Sequence, residues 1–334
     1  MGLTSLLIET TLGHRGEKIL EESDSLVRGG RRAVPAGDAR AKSAALQPVP
    51  VPPPEVTKGI LHPREQERHR RLIRLPAGPH TAEFVEWYWS VSWDLRGRPP
   101  YQAQVLPFPS VNVSFERSAT RTGGFVTGVT TGKFVRELVG EGETFAAKFR
   151  PGGFGAFTGI DVGALRDTAI ELTEVLPEAA GLTERVLAAD SADERRDIVD
   201  AYFARAARRR TPDDNYLLVL RIIAAMEADP DLTRVDQVTA RFDIPIRTLQ
   251  RLFRRYVGAG PKWVLRRYRL QDGAQLLAQG RTDDLATLAL ELGYFDQAHF
   301  SREFSNEIGM APLEYARASL LSHHASPRDS APDR

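Results

Sequence analysis

The strongest constraint on this fold is a repeat. Residues 249–261 (LQRLFRRYVGAGP) and 300–312 (FSREFSNEIGMAP) align position for position. Upstream of the first copy, Val235, Val238, Thr239 and Phe242 follow the spacing of one helix face. Leu285, Leu288, Ala289 and Leu292 do the same before the second. Asp243 stands where Gly293 stands, and the turn of the second copy is one residue longer. Self-similarity of this kind means two copies of one structural unit.

The second copy shows what that unit is. An amphipathic helix over 284–292 ends at Gly293, which accepts a tight turn at no steric cost. Asp296 then caps a second helix, with Phe300 and Phe304 inward and Gln297, Ser301 and Arg302 outward. Gly309 and Pro312 stop it, and 313–317 read as a further short helix. Two short helices across a glycine turn, the second with polar side chains outside, make a helix-turn-helix.

A helical stretch over 261–279 joins the copies, with Trp263, Val264, Tyr268, Leu270, Leu276 and Leu277 as its apolar positions. Roughly 20 residues at 1.5 Å each span about 30 Å. Successive major-groove faces on one side of B-DNA lie about 34 Å apart. One chain thus has the reach to present two recognition helices to adjacent grooves without dimerising. Between Pro245 and Leu270 every charged residue is basic: Arg247, Arg251, Arg254, Arg255, Lys262, Arg266, Arg267 and Arg269. Solvated helix faces usually alternate sign, so this run reads as a phosphate-binding footprint.

The remaining chain is long enough for a second domain. With 334 residues and a formal charge of +1, whole-chain composition argues neither for nor against nucleic acid. The absence of cysteine excludes disulfides, thiolate metal sites and a cysteine nucleophile. No apolar run approaches the ~20 residues that span a bilayer, and MGLTSLL lacks the form of a secretion signal, so the expected location is cytoplasmic. Residues 1–57 combine mixed charge, a basic knot (Arg28, Arg31, Arg32) and a proline run, and are expected to be a disordered Pro-rich extension. A start codon placed too far upstream accounts for the same composition.

From 58 to 210 a β-rich sensory or assembly domain with trailing helices is expected. A short helix is predicted over 82–87, then a strand in which Trp87, Trp89, Val91 and Trp93 alternate. Further strands are predicted over 104–108, 111–115, 124–129, 134–139 and 144–149, as a compact antiparallel sheet or barrel. Trp87, Trp89, Trp93, Phe108 and Phe115 suit either an ordinary core or the lining of a ligand cavity. The stretch Arg150–Pro151–Gly152–Gly153–Phe154–Gly155 lacks the lysine and hydroxyl residue of a phosphate loop, and reads as a turn leaving a strand. Helices follow over 182–189 and 194–207, the latter ending in Arg205, Arg208, Arg209 and Arg210, which suit a helix C-terminus. The domain junction is placed near Arg210, and a helix over 216–228 opens the C-terminal domain, 211–320, before a flexible tail over 321–334. His62, His69 and His80 lack metal-ligand spacing, and no catalytic constellation converges.

The region from about 215 to 317 resembles the DNA-binding domain of AraC/XylS-type transcriptional regulators. The resemblance rests on Gly293–Tyr294, Gln297, Phe300–Ser301–Arg302, Phe304, Gly309, Ala311–Pro312 and Tyr315. Leu249, Arg251–Leu252–Phe253, Gly258 and Pro261 of the first copy add to it. It implies a multidomain protein: a β-rich α+β N-terminal domain, then an all-α C-terminal domain of two helix-turn-helix modules joined by a linker helix. It places Arg247, Gln250, Arg251, Gln297, Ser301 and Arg302 where bases are read. Thr248, Arg254, Arg255 and His299 fall where phosphates are met. It further implies double-stranded DNA as partner and no enzymatic activity. RNA polymerase, a small-molecule effector and a second copy of the chain are compatible partners; neither a cofactor nor a membrane is implied. An architectural DNA-binding protein without ligand response is the alternative. DNA-alkylation repair, a chemistry joined to such domains in some proteins, needs the cysteine that this chain lacks. Asp243, Pro245 and Val238–Thr239 depart from the family pattern at the first turn, the first cap and the first helix. EFVEWYWSVSWDL and AKFRPGGFGAF resemble the N-terminal domains attached to such regulators, without implying a ligand.

Overall fold

Alternation of side chains along the strands decides the N-terminal half. The computed structural model describes residues 57–208, 210–281 and 284–321. The Pro-rich extension and the C-terminal tail therefore lie outside the described residues, apart from Thr57 and Leu321, as does Arg209. After the short helix α1 (Pro63–Glu67) come β1 (Arg71–Pro76), β2 (Val85–Asp94), β3 (Tyr101–Val105), β4 (Asn112–Ser118), β5 (Thr122–Thr127), β6 (Phe134–Leu138), β7 (Glu141–Phe149) and, later, β8 (Ala169–Glu171). Six strands form an antiparallel sheet in the order β1-β2-β7-β4-β5-β8, while β3 and β6 form a separate antiparallel ribbon.

The helix predicted over 82–87 is absent. Residues 81–84 form a turn and the strand begins at Val85, because Phe84 and Val85 are drawn into the core and a bulge between Val85 and Trp87 sets the later alternation. β1 and β8 escaped the sequence reading: β1 carries charges among its apolar residues and β8 has three residues.

One face of the sheet carries Tyr88, Val113, Phe115, Phe145, Ala147 and Phe149, all buried. Helices cover that face: α2 (Gly153–Thr158), α3 (Leu172–Val175), α4 (Leu182–Ala188) and α5 (Ala192–Ala207). Asp200 of α5 accepts hydrogen bonds from the Tyr88 hydroxyl at 2.9 Å and the Gly78 amide at 2.9 Å. Arg150–Gly155 leaves β7 through a turn, as expected, with Gly152 at φ 83°. A side chain at Gly152 would press on Tyr216, Val219 and Tyr256 of the C-terminal half.

The C-terminal half is helical throughout: α6 (Asp214–Ala228), α7 (Val235–Phe242), α8 (Ile246–Leu252), α9 (Pro261–Ala278), α10 (Leu285–Glu291), α11 (Gln297–Ile308) and α12 (Pro312–Leu321). Its cores do not respect the junction near Arg210. A single cluster runs from Phe84 and Phe149 through Phe203 to Tyr216, Leu249, Phe253 and Tyr268. A second cluster gathers Leu270, Leu288, Phe300, Phe304 and Tyr315, and takes in Leu61 and Leu106 from the N-terminal half. At about 1.5–3 kcal/mol for each fully buried large side chain, these shared clusters tie the halves together far more firmly than surface contacts would. Among the described residues no helix is long and apolar enough to cross a membrane.

Candidate nucleic-acid interface

Each recognition helix is set by its own turn. In the first module Asp243 takes the left-handed conformation (φ 46°, ψ 51°), the role Gly293 (φ 72°) plays in the second. An Asp side chain tolerates this region, so the departure preserves the turn. Pro245 occupies the cap position of α8 and offers the amides of the helix's first turn no side-chain acceptor. In the second module Asp296 accepts the His299 amide at 2.6 Å, the expected cap. Gly258 and Gly309 both have positive φ at the ends of their recognition helices, as the repeat requires.

The outward faces carry most of the predicted contact residues. Arg247, Gln250, Arg251, Gln297 and Arg302 are exposed, with Ser301 and Thr248 half-buried. Among the described residues Arg247, Arg251 and Arg302 make no ion pair, so their guanidinium donors are available to a ligand. Phe295, 86 % exposed beside the cap of α11, joins the edge of this surface. The sequence reading passed over it, though an aromatic next to a capping residue and outside the inward pattern is a visible signal.

The predicted phosphate residues divide. Arg254 is 81 % exposed and lies 4.0 Å from Asp161 of the N-terminal half. Arg255 donates to the Gly159 carbonyl at 3.4 Å and stacks against Tyr256. Both therefore stand at the end of α8 that meets the N-terminal domain, where the chain widens into a π-type turn over Phe253–Val257. The His299 ring packs on Tyr294 and lies 3.8 Å from Glu303.

The basic run is a narrower footprint than the sequence suggested. Arg266 reaches Glu303 at 3.1 Å and Glu307 at 3.8 Å. Arg267, only 1 % exposed, pairs with Glu307 at 3.3 Å, lies over Trp263 and donates to the Thr131 carbonyl. Arg269 donates to the Gly293 carbonyl at 3.0 Å and covers Tyr294. These three fasten α9 to its neighbours. The outward charge belongs to Arg247, Arg251, Arg254, Arg255 and Lys262.

A second feature lies between the large sheet and the β3–β6 ribbon: a cavity of about 250 Å³. Trp87, Trp89, Trp93 and Phe108 line it, whereas Phe115 belongs to the main core. Phe115 is out of phase with Ser114 and Glu116, its neighbours on β4, which do face the cavity. Inside, Lys148 donates to Glu86 at 2.5 Å and sits 3.8 Å from the Trp87 ring centroid and 4.0 Å from that of Phe108. Burial lowers its pKa against the pull of Glu86. Arg136 pairs with Glu116 at 2.9 Å. The sequence reading missed these polar residues, because alternation on an inward-facing strand looks the same as alternation toward solvent.

Comparison with known proteins follows the same division. Residues 238–318 match a family described as a helix-turn-helix domain, and residues 73–171 match one described only as a domain of unknown function, DUF6597. The C-terminal region is a helix-turn-helix domain. An uncharacterized HTH-type transcriptional regulator of Haemophilus influenzae is 30% identical over 100 residues, covering 30% of this chain and 33% of that protein. The HTH-type transcriptional activator RhaS of Pectobacterium carotovorum is 36% identical over 89 residues, covering 27% of this chain and 29% of RhaS. The chain thus matches about a third of the length of these relatives. ToxT from Vibrio cholerae aligns over 75% of this chain and 96% of its own, at 11% identity and a TM-score of 0.35.

Proposed function

We propose that this protein is a sequence-specific DNA-binding transcriptional regulator that reads two successive major-groove segments, with its N-terminal domain sensing a small molecule. One observation carries the DNA reading: two exposed polar recognition faces, on α8 and α11, belong to two repeated helix-turn-helix units that an 18-residue helix joins along the chain. At 1.5 Å per residue that helix is about 27 Å long. In this reading Arg251 and Arg302 bridge guanine O6 and N7, and Gln250 and Gln297 pair with adenine. Arg247 and Ser301 read neighbouring edges, and Phe295 meets a thymine methyl group. Thr248, Arg254, Arg255 and His299 meet phosphates; for Arg254 and Arg255 this requires loosening from Asp161 and Gly159.

Selection of bound sequences from random DNA tests the proposal. A site with two conserved segments about one helical turn apart is the expected result. Weak binding without sequence preference would instead favour the architectural reading. The sensing role is supported by the apolar cavity with a few convergent polar groups inside it.

A further inference from the structure

Of the three tryptophans that β2 turns toward the cavity, two are already covered by the protein. The Lys148 ammonium lies over both the Trp87 and Phe108 rings and is held there by Glu86. Trp93 packs into a small cluster with Leu95, Ala103 and Leu138. The open aromatic surface is therefore that of half-buried Trp89, between them. Strand register pairs Trp89 with Ala146 and Ala146 with Ser114, so only small side chains follow the indole across the sheet on that side. The volume of about 250 Å³ exceeds the roughly 150 Å³ of a protein cavity that takes up benzene, so a flat body of about two rings fits.

The charges that line the cavity are engaged within the protein. Arg136 pairs with Glu116 at 2.9 Å, and Lys58 with Asp272 at 2.8 Å and Glu227 at 3.6 Å. Arg70 Nε donates to Gln66 Oε1 at 2.7 Å, and half-buried Arg74 shares the field of Glu86 with Lys148. A charged ligand would shed its water for groups already matched, whereas an uncharged one gives up little. Asn112 adds direction. Its Oδ1 accepts from Trp89 Nε1 at 3.1 Å, and an indole N–H only donates, so this contact fixes which way the amide points. The Nδ2 donors are then the atoms that Asn112 has to offer a ligand.

We propose that the cavity binds an uncharged, flat molecule of about two rings, stacked on Trp89, with one hydrogen-bond acceptor turned toward Asn112 Nδ2. This deepens the sensing role and rests on the regulator reading only for its consequence. Thr130 and Phe134 line the cavity, and between them the Thr131 carbonyl accepts from Arg267 while Lys133 Nζ donates to the Ile308 carbonyl at 2.6 Å. A ligand in the cavity thus adjoins a loop that touches both α9 and the end of α11.

The test dialyses the full chain to equilibrium against four naphthalenes of similar shape: 2-acetylnaphthalene, 2-ethylnaphthalene, 2-naphthoate and 2-naphthylmethylammonium. The acetyl compound is expected to bind about two- to ten-fold tighter than the ethyl compound, the range of one neutral hydrogen bond. It should bind more than about ten-fold tighter than either ion. Trp89→Ala should weaken both uncharged compounds about ten-fold. Asn112→Asp keeps an acceptor for Trp89 and should lose the preference for acetyl over ethyl. Glu116→Gln releases Arg136 and should raise naphthoate affinity several-fold. If Trp89→Ala fails to fold, the four compounds on the unaltered chain still decide the class. An ion that binds as tightly as the acetyl compound, or no binding by any of the four, overturns the ligand class. Unchanged naphthoate affinity in Glu116→Gln overturns the charge argument. Equal binding of acetyl and ethyl compounds, or an undiminished preference in Asn112→Asp, overturns the place given to the acceptor. DNA affinity is then measured with and without the acetyl compound. Binding that leaves it unchanged overturns sensing but not the ligand class, and loss of all sequence preference on DNA overturns the regulator reading alone.

Discussion

In the first module the recognition helix runs only from Ile246 to Leu252 before widening into its π-type turn; in the second it runs unbroken from Gln297 to Ile308. The first is anchored in the main core, with Leu249, Leu252 and Phe253 packed into the cluster that begins at the β-sheet. Val162 of the N-terminal half lies where a side chain on Gly258, at its end, would have to go. The second packs into the smaller cluster, which takes in Leu61 and Leu106, and is clamped to α9 by Arg266 and Arg267 through Glu303 and Glu307. Two copies of one unit thus differ in what holds them. The first shares the large cluster that begins at the β-sheet, and the second shares a smaller one, reached from the N-terminal half by Leu61 and Leu106 and by polar contacts such as that of Lys133.

The turns should break the equivalence most sharply. Gly293→Ala forces a side chain into a left-handed backbone and against Thr233. It is expected to cost about 2–4 kcal/mol in urea unfolding of the full chain. Asp243→Gly at the matching position should change stability by no more than ~1 kcal/mol, since the backbone already tolerates the residue. Equal effects at the two turns would remove the claim that the second is the stricter.

Base reading comes next. Arg302→Ala and Arg251→Ala should each relax preference at one fixed base position by about 1–3 kcal/mol, measured against single-base variants of the selected site. Equal losses on cognate and random DNA would sink the base-reading assignment. Arg254→Ala should weaken binding to all sequences alike and reduce the salt slope by about 1. We propose that the first module supplies more of the affinity while the second sets register; a larger salt-slope change from Arg302→Ala than from Arg254→Ala would count against that division.

The smallest effect is in pH. His62 is buried against Tyr315 and shares a hydrogen bond of 3.0 Å with Ser319, where α12 meets the N-terminal half. Desolvation lowers its pKa, opposed by Glu65 and assisted by Lys133. The folded chain therefore holds the imidazole neutral while the unfolded chain takes up a proton near pH 6.5. Stability is complete above that value and falls as pH drops below it. Unfolding free energies of the parent and His62→Gln, taken across pH 5–8, should diverge on the acid side. His69, shifted the same way by burial and Arg98, is common to both proteins and cancels in the difference.

How much of this was legible depended on whether a signal was local. The helix-turn-helix boundaries, the Asp296 cap and the positive φ of Gly293, Gly258 and Gly309 follow from residues a few positions apart. Most strands over 85–149 were legible from their alternation, but the strand expected over 104–108 lies at Tyr101–Val105, and 82–87 misled because its helical spacing was weaker than the pull of the core on Phe84 and Val85. The same alternation left Ser114, Glu116, Thr144 and Lys148 unassigned, since period two names two faces and not what covers them.

By itself the sequence determined that this chain carries two helix-turn-helix units, where each recognition face lies and which side chains it presents. Helix period, capping and left-handed turns are properties of short segments, and the repeat states them twice. Only the tertiary structure decided that Arg266, Arg267 and Arg269 serve packing and not the outward charge, that three tryptophans line a cavity, and that a loop beside it touches both α9 and the end of α11. Those outcomes join residues more than a hundred positions apart in some cases, such as Thr131 with Arg267 and Lys133 with Ile308. Such pairings arise from shared burial across the whole chain, which no local pattern encodes.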